Sequence, residues 1–217
     1  MPYDSKNSLS DADYDFTAEL QTKVDAAFQR TTNADSDLFW MQEALREAKR
    51  GAELGEVPVG AVVVANGRII ARAHNRNNLD NDPTAHAEVL ALRAAGEATG
   101  NRRLTRCELF VTMEPCAMCA GALVHARIQR LVYGARDPKA GAVESVLAVV
   151  NHPGLNHRMA VTGGVLAGRC AEIVQSFFRA RRERVSPNGQ GSTDNKVCRS
   201  PEIKNLTPGS EATPEFD

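Results

Sequence analysis

Two short motifs in this chain carry side chains that can bind a metal ion and move a proton. The first is His-x-Glu at residues 86–88, and the second is Pro-Cys-x-x-Cys at residues 115–119. One histidine and two cysteines are ligand types that select zinc, and three protein ligands leave a fourth position open for water, as in catalytic zinc sites. Zinc lowers the pKa of a coordinated water toward about 7. The motifs therefore predict zinc-assisted hydrolysis, with His86, Cys116 and Cys119 as ligands and Glu88 as the proton shuttle.

Each motif stands where the sequence predicts the start of a helix. One helix is expected from Pro83-Thr84 to Gly100, and another from Cys116 to Arg127. Helix N-termini present unpaired N–H groups and a positive dipole end, which favour thiolate over thiol at both cysteines of the motif. Glu88 follows His86 by two residues, which is about 200° around a helix. A carboxylate in the first turn is still expected to reach over the open side of the metal.

A bare Cys-x-x-Cys also fits a structural zinc site or a redox pair, and a bare His-x-Glu also fits an ordinary helix face. A structural site needs a fourth ligand. Cys107 lies in a predicted strand nine residues before the pair, and His125 lies far along the helix from Cys116, so neither is placed to close the site. The presence of both motifs favours the catalytic interpretation.

The elements around the motifs alternate between strands and helices, which predicts a three-layer α/β/α domain with a central five-stranded mixed sheet. An Asn-Gly pair at residues 66–67 joins two β-prone runs and predicts a hairpin. Asp35, Ser36 or Asp37 is expected to cap a helix that precedes the hairpin. The elements expected are a helix to about residue 54, strands over 57–64, 68–71, 107–112, 130–134 and 161–165, a loop over 74–83, a loop with a short helix over 136–159, and a last helix over 169–185.

Composition excludes fibrous and membrane classes. The 217 residues suffice for one sizeable core, and no apolar run approaches the roughly 18 residues that span a bilayer. The N-terminus lacks a basic region followed by an apolar run, so no secretory signal is expected. Five cysteines, two of them in Cys-x-x-Cys, favour metal binding over a disulfide framework. We therefore expect a cytoplasmic protein without membrane association.

Charge and composition divide the chain into three parts. The net charge of −1 comprises −5 over residues 1–37, +6 over 38–185 and −2 over 186–217. Residues 1–35 are predicted to be an acidic extension, partly disordered or forming a short helix in which Phe16, Leu20, Val24 and Phe28 recur every four residues. Residues 36–185 are predicted to form the folded domain. The tail over 186–217 has too little apolar area to fold and is predicted to be disordered.

The two motifs together form the signature of the zinc nucleobase deaminases, which hydrolyse the amino group from a base and release ammonia. Cytidine, cytosine, guanine and riboflavin-pathway deaminases share this signature. Over residues 39–185, further motifs resemble the bacterial tRNA-specific adenosine deaminases of the TadA type, within the cytidine deaminase-like superfamily. These motifs lie at residues 56–61, 74–76, 83–88, 114–122, 133–139, 156–158 and 177–179.

The resemblance implies conversion of the wobble adenosine of a tRNA anticodon to inosine, with an arginine tRNA bearing an ACG anticodon as the expected substrate. It also implies a cytidine deaminase-like fold, one Zn2+ per subunit, and a homodimer in which both subunits shape the RNA site. By the same resemblance, Asn75 holds the flipped base, Val59 packs beside it, and Asn156 lines the pocket.

The resemblance further implies contacts with the rest of the anticodon stem-loop. Asp137 and Lys139 are expected to contact ribose and phosphates, and Phe178, Arg179 and Arg182 to hold neighbouring nucleotides. Arginines beside aromatic residues suit phosphate contacts and stacking on splayed bases. The alternative for this helix end is a solvated surface, where cations are favoured by the helix dipole.

Two other functions remain open on the sequence. A zinc deaminase of a free nucleobase, such as guanine or cytosine, would share the signature but would not need the arginine-rich last helix. A non-catalytic RNA-binding partner subunit would need no proton shuttle, and the presence of Glu88 argues against it.

Overall fold

The computed structural model describes residues 34–185. The predicted acidic helix over residues 16–28 and the predicted tail over 186–217 lie outside the described residues, and the three-part division of the chain stays a prediction. Within the described part, no helix combines the length and the apolarity that crossing a membrane requires.

A five-stranded mixed sheet forms the centre of the fold, as predicted. The hairpin turn has Asn66 at φ 51° and Gly67 at φ 68°, which is the left-handed geometry that favours an Asn-Gly pair. The strand order is β2-β1-β3-β4-β5, with β1 antiparallel to β2 and β3, and with β3, β4 and β5 parallel. The strands are β1 (Gly60–Ala65), β2 (Arg68–His74), β3 (Cys107–Met113), β4 (Arg130–Ala135) and β5 (Ala160–Thr162).

Helices cover both faces of the sheet, which confirms the three-layer arrangement. Alternate strand residues point to opposite faces, so Val63 packs in the core beneath α3 and α4, whereas Val62 packs in the core beneath α1 and α5. The helices are α1 (residues 34–53), α2 (Asn77–Asp80), α3 (Ala87–Thr99), α4 (Ala117–Ala126) and α5 (Ala167–Val185).

Helix α1 packs unusually close to the sheet. Met41, Ala44 and Ala48 are fully buried on its inner face, as the sequence predicts. A Cβ at Gly60 would overlap the backbone of Ala44 and Ala48, so a glycine is required at this contact. Asp37 does not cap the helix; its carboxylate accepts hydrogen bonds from the Arg130 guanidinium and thereby ties α1 to β4.

Three predicted details are wrong. The loop after β2 contains the one-turn helix α2, and no helix occurs over residues 136–159. Helix α3 begins at Ala87 rather than at Pro83, because the Asp82 carboxylate accepts hydrogen bonds from the backbone N–H and the hydroxyl of Thr84 and closes a turn there.

Candidate metal centre and active site

Two helix N-termini bring the three predicted metal ligands together. His86 is the N-cap residue of α3 and Cys116 is the N-cap residue of α4, and both have extended backbone conformations. Neither side chain caps its own helix, so both are free to point at the same place. Cys119 lies in the first turn of α4 and is buried.

The ligand atoms have the spacing of a zinc site. Nδ1 of His86 lies 3.7 Å from Sγ of Cys116 and 3.5 Å from Sγ of Cys119, and all three atoms lie within 4.8 Å of one another. Tetrahedral zinc with its usual bonds to nitrogen and sulfur places those atoms about 3.6 Å apart. One imidazole and two thiols at this spacing fit a zinc ion with one coordination position left open.

Hydrogen bonds within the cluster shift the pKa values of its three ligand groups in different directions. Hydrogen bonds from Cys119 and His86 lower the pKa of Cys116 to about 3. The hydrogen bond from Cys119 to Cys116 raises the pKa of Cys119, and the separate hydrogen bond from His86 to Cys116 raises the pKa of His86. These hydrogen bonds favour the thiolate form of Cys116 and the protonated form of Cys119. A bound cation would replace that proton, because a coordinated thiol is deprotonated.

Glu88 lies beside the ligands and is almost completely buried. Only 4% of the residue is exposed, and burial raises the pKa of its carboxyl group. His86 precedes α3, so the angle of about 200° expected for two residues of one helix does not apply. Glu88 is the second residue of α3, and it lines the same cavity as His86 and Cys116. A carboxyl group with a raised pKa in this position suits proton transfer.

The cavity next to the cluster has a volume of about 330 Å³. This is the small end of the usual range for ligand sites and suits one base better than a whole stem-loop. Of the predicted substrate residues, Val59, Asn75 and Asp137 line the cavity. The lining residues to which the sequence analysis gave no role are Glu56, Val57, Asn77, Asn78, Met113 and Glu114.

The carboxamide of Asn75 is held by helix α3. Its Oδ1 accepts a hydrogen bond of 2.9 Å from the backbone N–H of Ala87, the first residue of the helix. A backbone N–H can only donate, so this contact identifies the carboxamide oxygen. The NH2 group, which can only donate, is left for the cavity that Asn75 lines.

Glu56 and Glu114 are buried acids with no role assigned from the sequence. Glu56 accepts hydrogen bonds from Leu79 N–H and from the Asn78 side chain, so it holds the loop that contains α2. Burial acts to raise the pKa of Glu114, but hydrogen bonds from the Ser145 hydroxyl and from nearby backbone N–H groups outweigh it and lower the pKa to about 2. The sequence did offer one signal for each acid. Glu56 stands before Val57-Pro58, just ahead of β1, and Glu114 stands before Pro115, just after β3.

The other predicted substrate residues lie outside the cavity. Lys139, Arg179 and Arg182 are exposed, and 40% of Phe178 is exposed. Asn156 is also exposed, and its backbone oxygen accepts a hydrogen bond from Arg127. Their predicted contacts with RNA stay predictions.

A larger cavity of about 670 Å³ lies against α3 and α4. Its lining includes Val89, Leu92 and Ala122 and none of the metal-binding residues. Cavity size therefore does not identify the active site; the convergence of ionisable side chains does.

Comparison with known proteins agrees with this geometry. A family model described as MafB19-like deaminase matches residues 35–182. The tRNA-specific adenosine deaminase of Agrobacterium fabrum is 50% identical over 143 residues, which cover 66% of this chain and 94% of that protein. The tRNA-specific adenosine deaminase of Bacillus subtilis is 45% identical over 148 residues, which cover 68% of this chain and 92% of that protein.

Solved structures with the same fold include two kinds of deaminase. A structure from studies of A-to-I editing by tRNA:A34 deaminases at the wobble position of transfer RNA is 50% identical with a TM-score of 0.61, covering 62% of this chain and 98% of that chain. A guanine deaminase from Nitrosomonas europaea is 27% identical with a TM-score of 0.54, covering 64% of this chain and 82% of that chain.

Proposed function

The chain belongs to the family of tRNA-specific adenosine deaminases, among the MafB19-like deaminases, and we propose that it hydrolyses the wobble adenosine of a tRNA anticodon to inosine. The observation that carries this proposal is the cavity in which buried Glu88 lies beside His86 and Cys116. The likeness to tRNA deaminases over at least 92% of their length supports the choice of substrate.

Glu88 moves the protons of the reaction. His86, Cys116 and Cys119 would hold a zinc ion, which supplies a water of lowered pKa when it is bound. Glu88 accepts a proton from the attacking water and delivers it to the ring nitrogen of the base. It then accepts the proton of the newly added hydroxyl group and passes it to the departing amino group, which leaves as ammonia. Water and adenosine are consumed, and inosine and ammonia are formed.

Asn75 and Val59 position the flipped base in this proposal. The Asn75 NH2 group donates to an acceptor nitrogen of the purine ring, because its oxygen is already bound to Ala87. Val59 is buried and supplies an apolar wall to the cavity. An extruded base is read in this way by hydrogen bonds to its edge and by packing on its faces.

The remaining contacts belong to the stem-loop. Asp137 at the cavity and exposed Lys139 are proposed to contact ribose and phosphate. Phe178, Arg179 and Arg182 are proposed to hold neighbouring nucleotides, and Asn156 is proposed to line the pocket, as the resemblance implies. The proposal includes a cytoplasmic homodimer with one zinc ion per subunit, and light scattering and metal analysis of the purified protein test those two counts.

The direct test is incubation of the full chain with an arginine tRNA bearing an ACG anticodon, followed by sequencing, in which inosine is read as guanosine. We expect conversion at the wobble position by the wild type and none by Glu88→Ala. A wild type that leaves this tRNA unchanged while retaining zinc would contradict the proposal.

A free-base deaminase is the second candidate, and the likeness to a guanine deaminase favours it. It predicts release of ammonia from guanine and no effect of changes at Arg179 or Arg182. We expect the opposite result, namely turnover of the tRNA and no ammonia from guanine. Ammonia release from each substrate, measured side by side, distinguishes the two functions.

A further inference from the structure

Both oxygens of the Glu114 carboxylate accept hydrogen bonds from one loop, residues 136–145. Its Oε1 accepts hydrogen bonds from the backbone N–H groups of Val143, Glu144 and Ser145 at 3.2, 2.8 and 2.9 Å. Its Oε2 accepts one from the N–H of Asp137 at 3.1 Å and another from the hydroxyl of Ser145. Glu114 is only 3% exposed, so these bonds are shielded from water. Five donors on one buried carboxylate fix the course of loop 136–145.

The same loop is bonded to the metal-binding turn. Ala142 N–H donates to the Pro115 carbonyl at 2.8 Å, and Cys116 pairs with Gly141 in a β-bridge. Glu114 therefore lies between two parts of the site: its backbone leads into Cys116, and its side chain holds the loop that carries Asp137 into the cavity.

The Asp137 side chain fixes the next residues of the loop, which lead toward the protein surface. Its Oδ1 accepts hydrogen bonds from the backbone N–H groups of Lys139 and Ala140 at 2.9 and 3.2 Å. The chain of contacts therefore runs from Glu114 through the Asp137 backbone to the position of exposed Lys139. None of these bonds joins Glu114 to Glu88 or to a ligand side chain.

We infer that Glu114 is a positioning residue: it fixes loop 136–145 against the metal-binding turn so that Asp137 and Lys139 meet the RNA substrate. This inference rests on the proposed function for its substrate. Two neighbouring residues then have different roles: Cys116 binds the metal, whereas Glu114 determines the affinity for the RNA.

Glu114→Gln is the sharpest variant. Glutamine keeps the shape but has one acceptor oxygen, and its NH2 group faces N–H donors at the other position. Loop 136–145 must then shift, whereas the cysteine and histidine ligands keep their own helices. A displacement of about 1 Å in a substrate-positioning residue can cost on the order of 10²-fold. We therefore expect KM for an anticodon stem-loop to rise about tenfold or more, with a smaller fall in kcat and unchanged zinc content.

Three further variants keep the test decisive. Glu144→Gln removes a carboxylate charge from loop 136–145 itself, at a side chain that is 41% exposed. KM should stay within about twofold, because the bonds to Glu114 remain and the amide oxygen can still accept the hydrogen bond from the Tyr133 hydroxyl. A Cβ at Gly141 would overlap the Glu114 carboxylate and the Asp137 carbonyl, so Gly141→Ala should displace the loop with the carboxylate intact and should also raise KM. Glu114→Asp keeps the charge and should recover part of the affinity.

Hydrogen exchange distinguishes failure of this inference from failure of the proposed function. The amides of Asp137, Val143, Glu144 and Ser145 should be protected in the wild type and should exchange faster in Glu114→Gln, whatever the substrate is. Unchanged exchange, an unchanged KM, or loss of zinc in proportion to activity would overturn the inference. A wild type without activity on tRNA would overturn the proposed function alone.

Discussion

Two groups of proposed functional residues are held in place by different means. The catalytic cluster consists of His86, Glu88, Cys116 and Cys119. The outer residues are Lys139, Asn156, Phe178, Arg179 and Arg182. Each member of the cluster is the N-cap or lies in the first turn of α3 or α4, two helices packed on one face of the sheet. The outer residues are exposed, and none of them lines the cavity beside the cluster.

The difference teaches which functional residues a fold can preorganise. Backbone that is buried and hydrogen-bonded holds the cluster in place before any substrate binds, which is what transition-state stabilisation requires. An exposed side chain such as Arg179 is not held by burial, and in the proposed function contact with RNA orders it. Substitutions in the cluster should therefore change the reaction by orders of magnitude, whereas substitutions among the outer residues should change binding by smaller factors.

Loss of a metal ligand should have the largest effect. Cys116→Ala removes the sulfur that lies 3.7 Å from Nδ1 of His86, so zinc content should fall from about one ion per chain to near zero and deamination should disappear. Metal analysis and the tRNA assay check this. Cys107→Ala removes a buried thiol outside the cluster and should keep both zinc and activity; a zinc-loaded, active Cys116→Ala enzyme would refute the ligand assignment.

Loss of the proton shuttle should have the next largest effect. Glu88→Ala should lower kcat about 10³-fold, because a positioned acid–base group contributes about 10²–10⁴-fold. Zinc content should not change, since Glu88 is not a ligand. Glu97→Ala, at an exposed position of the same helix, is the matched control and should be fully active. Equal activities of the two variants would remove Glu88 from the mechanism.

Asn75 lies between the two regions and should show an intermediate effect. Asn75→Asp keeps an oxygen for Ala87 N–H but removes the NH2 donor, so the melting temperature should be nearly unchanged while kcat/KM falls about 10–100-fold. Thermal unfolding and steady-state kinetics provide the two measurements. A variant with normal kcat/KM would mean that the amide supports the helix and does not contact the base.

An outer arginine should show the smallest effect. Arg179→Ala should weaken RNA binding severalfold and reduce the slope of log K against log salt by about 1, because one phosphate contact is lost. Arg169→Ala, at an exposed position on the same helix, should leave the slope unchanged. Binding titrations at several salt concentrations check both. A fall in kcat of the size expected for Glu88→Ala would erase the distinction between the two regions.

The sequence predicted the elements well where the local signal was complete. The Asn66-Gly67 turn, the inner face of α1 and the five strands follow from residue type and periodicity, and the structure confirms them. The predicted start of α3 was wrong. Hydrogen bonds to the Asp82 carboxylate and to the Asn75 carboxamide decide where that helix begins, and neither acceptor belongs to the helix itself.

The buried acids show the same limit. Glu114 stands next to a recognised motif, but its role depends on N–H groups 23–31 residues further along the chain. Loop 136–145 was predicted to lie in a region with a short helix. It is instead organised by this one carboxylate, which no local periodicity reveals.

The sequence by itself determined the chemistry, because one histidine, two cysteines and one glutamate at these spacings suit few reactions other than metal-assisted hydrolysis. Tertiary structure alone decided the geometry: which helix termini meet, which side chain lies within hydrogen-bond distance of Cys116, and that the single side-chain oxygen of Asn75 already accepts a hydrogen bond from Ala87. The physical reason is the distance along the chain over which each interaction acts. Ligand identity and hydrophobic periodicity are local properties, whereas the hydrogen bonds that decide where α3 begins and the burial that shifts a pKa exist only after the chain has folded.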